Sequence, residues 1–137
     1  DHINEFLENQ RFEHIALAGE SLGASLAMYH SSLAAEDKLL LIAPFYSAVD
    51  LAKHEYPFYP IRLMLRENYD NLQWLGDLQD VLIIHGQEDE AHPVEQSERL
   101  FNEMKTANKK LIVIDQAGHN DIYEFPEFYG SSGERIV

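Results

Sequence analysis

Four short apolar runs constrain this chain most: Ile15-Ala16-Leu17-Ala18, Lys38-Leu39-Leu40-Leu41-Ile42-Ala43, Val81-Leu82-Ile83-Ile84-His85 and Leu111-Ile112-Val113-Ile114-Asp115. None alternates apolar with polar residues, as expected of parallel strands covered on both faces. Helix-like stretches separate them, among them Ala24 to Leu33 and Val94 to Met104, the latter with Pro93 at its first turn. The order β-α-β-α-β-α-β predicts an α/β fold of three layers, α-β-α, around a parallel sheet of about four strands in sequential order. The first strand is expected from about His14 to Gly19, after the end of an amphipathic helix marked by Phe6, Leu7 and Phe12. At 137 residues the chain is read as a single domain over 1–137.

Between the first run and the first helix lies Gly19-Glu20-Ser21-Leu22-Gly23, a G-x-S-x-G pattern. Its context is strand, sharp turn, helix, which is where a nucleophilic serine is presented at positive φ. Both flanking glycines are expected where strand and helix come too close for side chains.

A serine hydroxyl needs a base to take its proton, and the base needs a carboxylate to fix its tautomer. Two later loops offer them. After the third run comes His85-Gly86-Gln87-Glu88-Asp89-Glu90-Ala91-His92-Pro93, where Gly86 is expected to let the chain turn; after the fourth comes Ala117-Gly118-His119-Asn120-Asp121. Both leave the carboxyl ends of parallel strands, the edge that carries the serine. Glu88, Glu90 and Asp50 are rivals to Asp89 as the acid. His85, Glu88, Asp89 and His92 also admit a metal reading, but crowding on one turn matches no known ligand spacing.

The serine turn, the His-Gly-x-x-Asp-x-x-x-Pro stretch and the Gly-His-Asn-Asp stretch together resemble the α/β-hydrolase fold, from His14 to Tyr123. The likeness is to small-lid hydrolases of the bud-emergence type, related to prolyl-oligopeptidase-like esterases and peptidases. It implies Ser21 as nucleophile, Asp89 as orienting carboxylate, His119 as general base and acid, and the Leu22 backbone N–H as an oxyanion donor. The implied reaction is cleavage of an acyl ester or thioester through an acyl-enzyme, with no cofactor and no metal. A catalytically silent binding module and an acylaminoacyl-type peptidase are the alternatives.

The family carries about eight strands, and the four runs here correspond to its second half. The resemblance therefore implies a portion of a longer hydrolase, lacking the loop that supplies a second oxyanion N–H. The first strand would then be an open edge, expected to be covered by another chain, such as a second copy, or by residues outside this stretch. Phe125-Pro126-Glu127 should break the last helix early, with Gly130 to Gly133 as loop.

Composition bears on partners. Ten Lys and Arg against 24 Asp and Glu give a net charge of −14, which repels nucleic acid and anionic lipid. The expected partner is a small-molecule acyl substrate. The chain has no cysteine, and neither a leader peptide nor a membrane segment is legible, so a cytoplasmic protein is expected. The aromatic-rich stretch from Phe45 to Leu78 is expected to pack in the core, or in part to line an acyl pocket.

Overall fold

The computed structural model describes residues 2, 6, 14–33, 38–65, 69–75, 80–106 and 108–130. Four strands form one parallel sheet in the order β1-β2-β3-β4: β1 is Ala16–Glu20, β2 Lys38–Ile42, β3 Asp80–Gly86 and β4 Asn108–Ile114. Gly19 is in register with Leu41, Ile42 with Ile84, and Gly86 with Ile114. The expected sheet is therefore present, in sequential order. Helices α1 (Leu22–Leu33), α2 (Ala48–Glu55), α3 (Ile61–Met64) and α4 (Glu95–Glu103) accompany it, with 3₁₀ turns at Asn71–Trp74, Ile122–Glu124 and Pro126–Tyr129.

The two-residue period of a strand divides the apolar runs between two faces. Leu39, Leu41, Val81 and Ile83 pack with Ala24 and Met28 of α1 and with Leu100 and Met104 at α4. Ile42, Ile84 and Ile114 pack on the other side with Ala117, Ile122, Phe125 and Phe128. Layers thus flank the sheet on both faces. Toward the amino ends of the strands lies a hollow of about 780 Å³, lined by Ala16, Lys38, Leu40, Asp80, Leu82 and Asn108 among others. It lies away from the carboxyl ends, where the candidate residues sit.

Several boundaries differ from expectation. β1 runs Ala16–Glu20 rather than from His14, and β4 begins at Asn108, three residues early. The early start of β4 puts Lys109 beside α4, where its amine donates to the Phe101 and Met104 carbonyls at 2.7 Å each and so caps the end of that helix. Of the expected amphipathic helix, Phe6 is helical and exposed, whereas Leu7 and Phe12 lie outside the described residues. The 3₁₀ turns Ile122–Glu124 and Pro126–Tyr129 occupy the stretch where the last helix was expected to break, and residues 131–137 lie outside the described residues.

The aromatic stretch divides. Phe45 and Tyr46 are buried and Trp74 packs edge-on to Tyr29, but Tyr56 and Tyr59 are exposed and Phe58 is 96% exposed, so core packing does not describe these three. They lie with Pro57 and Pro60 in the short connection 56–60 between α2 and α3.

Candidate active site

Ser21 sits in the turn between β1 and α1 with φ of 53°, in the left-handed region. Its N–H donates to the Ile42 carbonyl at the end of β2 (2.9 Å), and its carbonyl accepts from Ala24 N–H (3.1 Å). Such a backbone is costly for a non-glycine residue and persists where the surroundings over-determine it. Gly19 explains how the turn closes: a Cβ there would lie 2.2 Å from the Gly23 carbonyl oxygen. Gly23 is different, since a Cβ on it would meet nothing within 4 Å. The expectation that both glycines are sterically required holds for Gly19 only. Leu22 opens α1, so its N–H is among those a helix leaves without an internal partner.

Asp89 follows β3 and is buried, with its side chain fully enclosed. Gly86, which ends β3, does not adopt a positive φ. Its role is close approach, because a Cβ there would lie 2.3 Å from the Ala117 carbonyl oxygen in the loop after β4. Glu88 N–H donates to that same carbonyl at 2.9 Å. The acid loop and the histidine loop are thereby packed backbone to backbone.

His119 Nδ1 lies 2.6 Å from Asp89 Oδ2. A carboxylate only accepts, so Nδ1 carries the proton and Nε2 is left as the basic nitrogen. Asp89 Oδ1 accepts from His92 N–H at 2.7 Å, and His85 Nε2 stands 3.3 Å from Oδ2. Burial pushes the Asp89 pKa up, but the bonds from His85, the His92 N–H and His119 outweigh it and hold the carboxyl well below its usual range. Asp89 is an anion that accepts from the His92 N–H and from His119 Nδ1, with His85 Nε2 close by.

Asp50, the rival acid, is elsewhere: its carboxylate pairs with Arg99, whose guanidinium stacks 3.5 Å over the Tyr46 ring. Glu88 and Glu90 are exposed. The metal reading meets occupied donors, since His85 Nδ1 contacts Ser97 Oγ, His85 Nε2 donates to the His92 carbonyl at 2.8 Å, and His92 Nδ1 donates to the Ala43 carbonyl at 2.9 Å. Among the described residues no group of three or more His, Cys, Asp or Glu is disposed to hold a metal ion.

The serine and the histidine come from opposite edges of the sheet. Three strand spacings, about 14 Å, separate β1 from β4, so the chain after β4 must run back across the carboxyl ends. It does so from a turn at Gln116 (φ 63°), and Asp121 Oδ1 braces the loop by accepting from Gly118 N–H at 2.7 Å. By Tyr123 it has reached β1, where the phenol donates to Glu20 Oε2 at 2.7 Å. Partial burial, then the Glu20 carboxylate, push the Tyr123 pKa up, so the phenol stays a donor. Glu20 is the residue before Ser21. Among the described residues the Ser21 hydroxyl makes no hydrogen bond to His119, whose Nδ1 is engaged by Asp89.

Sequence reasoning missed His85, His92 and Ser97 as parts of this network, and the Glu20–Tyr123 bond. The signal available was the spacing of His85, Asp89 and His92, which places them at the end of β3 and on the loop after it but leaves open whether they face one another.

No family model matches the chain. Two uncharacterized proteins from two strains of Mycobacterium tuberculosis are each 33% identical to it over 108 residues, covering 78% of this chain and 38% of their own length. The chain therefore spans well under half of these curated relatives. Among solved structures it is similar to the esterase domain of a Rhodothermus marinus protein (TM-score 0.68, 17% identity, 94% of this chain and 62% of that one). It is also similar to an alpha-beta serine hydrolase homologue from Coxiella burnetii (TM-score 0.68, 18% identity, 99% and 55%). A third is the acylaminoacyl peptidase of Pyrococcus horikoshii (TM-score 0.67, 16% identity, 98% and 27%). The four-stranded parallel sheet and its flanking helices are part of an α/β-hydrolase fold.

Proposed function

We propose that this chain carries the site of a serine hydrolase that cleaves an acyl ester or thioester through an acyl-enzyme. Ser21 is the nucleophile, His119 the base that takes its proton and returns it to the leaving group, and Asp89 the carboxylate that orients the ring. The Leu22 N–H stabilises the oxyanion. The observation that carries the reading is the 2.6 Å contact of His119 Nδ1 with Asp89, which leaves Nε2 free on the edge where Ser21 is held at φ 53°. The esterase and serine hydrolase likenesses support the same chemistry, and the bud-emergence-type group is our assignment within it. The likeness to an acylaminoacyl peptidase supports an amide as a second substrate class. β1 pairs only with β2 among the described residues, and we assign its other edge to pairing with further chain or a second copy.

The test is labelling of the parent protein with a fluorophosphonate, located by peptide mass. Ser21 should be modified, turnover of a chromogenic ester should vanish in Ser21→Ala, and His119→Ala should be about as damaging because the two act as one unit. Undiminished turnover in Ser21→Ala ends the reading.

A further inference from the structure

A hydrogen bond to Asp89 fixes one atom of the His119 ring but leaves the ring free to swing about it. The plane of the ring decides where Nε2 points. A second contact settles that plane: the His92 ring stands edge-to-face against His119, with centroids 4.6 Å apart and planes at 70°. On its other side His92 meets Phe45 edge-on at 5.3 Å, and its backbone N–H is held by Asp89. His92 is buried.

His92 is itself anchored. His92 Nδ1 donates to the carbonyl of Ala43, and the residue before, Ile42, gives its carbonyl to the Ser21 N–H. The end of β2 therefore holds the serine turn through one carbonyl and His92 through the next. We propose that His92 is a positioning residue, which sets the plane of the His119 ring against the same strand end that holds Ser21.

The inference rests on the serine hydrolase reading. A charged ring at this place would oppose the protonated form of His119 during catalysis. Burial, against the pull of the Ala43 carbonyl, holds the His92 pKa below the ordinary histidine range, so the ring is a neutral wall. His85 faces the same loop but contacts Ser97, the His92 carbonyl and Asp89, so it braces the acid rather than the base.

Three variants of the parent protein separate ring contact from anchoring. His92→Ala loses both and should lower kcat about 10-fold with KM held. His92→Phe keeps the ring wall without the Ala43 bond and should recover most of the loss. His92→Asn keeps a donor for Ala43 without the ring and should not. Recovery by Asn alone, equal recovery by both, or an unchanged kcat in His92→Ala overturns the proposal. Should His92→Ala fail to fold, the Phe and Asn comparison still decides. Fluorophosphonate labelling of the unsubstituted protein is run alongside; absence of label on Ser21 sinks the hydrolase reading instead.

Discussion

Asp89 and His119 meet at 2.6 Å although they stand 30 positions apart with a complete helix between them, because Gly86 brings the loop after β3 onto the Ala117 carbonyl of the loop after β4. The acid and base arrive as one backbone-packed pair. The serine arrives separately, from the far edge of the sheet.

Asp89→Asn is predicted to keep the fold and lose the chemistry. The amide oxygen can still cap the His92 N–H, but its nitrogen would face His119 Nδ1 with a donor where that nitrogen now donates. The histidine is then driven to the wrong tautomer, and kcat should fall by about 10³ to 10⁴. Steady-state kinetics on a chromogenic ester check this, and a variant within 10-fold of the unsubstituted protein contradicts the role given to Asp89.

A pH dependence of stability follows from the same carboxylate. Its pKa is depressed in the folded protein below the ordinary 3.8, so its contribution is full above that value and is lost as pH falls below it. The difference in unfolding free energy between the unsubstituted protein and Asp89→Asn should be constant from about pH 7 to 5 and shrink below about pH 4. Denaturant titrations across that range measure it; a difference that does not change on acidification shows that Asp89 is not held as an anion.

The two glycines of the serine turn should respond in opposite ways. Gly19→Ala forces a Cβ against the Gly23 backbone and is predicted to destabilise by about 1–3 kcal/mol or more. Gly23→Ala enters open space in the first turn of α1 and should be neutral or stabilise by up to about 1 kcal/mol. Thermal melts of both variants suffice, and equal losses would show that the elbow is packed differently.

Tyr123→Phe removes the hydroxyl that ties the returning chain to Glu20 while keeping the ring against Phe128. The melting temperature should change little, since the bond is at the surface. kcat should nevertheless fall by about 3- to 10-fold, because Ser21 and His119 lose a brace on their separation. If kcat stays level while labelling of Ser21 is intact, the bond is only a surface contact.

Much of the fold was legible because buried parallel strands write themselves as unbroken apolar runs, such as Leu39 to Ile42 and Val81 to Ile84. The start of β4 was not, since Asn108, Lys109 and Lys110 are polar residues on an edge strand, where pairing with β3 rather than burial defines the element. At the site, chain order and loop position pointed to Asp89 and His119, which the fold brings to 2.6 Å, and to Ser21 on the turn after β1. The places of His92 and Gly86 were hidden, because each depends on how closely two loops approach. A sequence states which residues share a loop, but Gly86 against Ala117 and His92 against His119 are distances between loops.

The placement of Ser21 after β1 and His119 after β4 has a mechanical consequence. Adjacent strands rotate by some 20–25°, so the two ends of this site are turned roughly 60–75° relative to each other by the sheet itself. That rotation accumulates through β2 and β3, whose Leu41 and Ile83 are fully buried in the core between the two ends. A small change of coiling there, or a strand added along β1, would be magnified at the carboxyl edge.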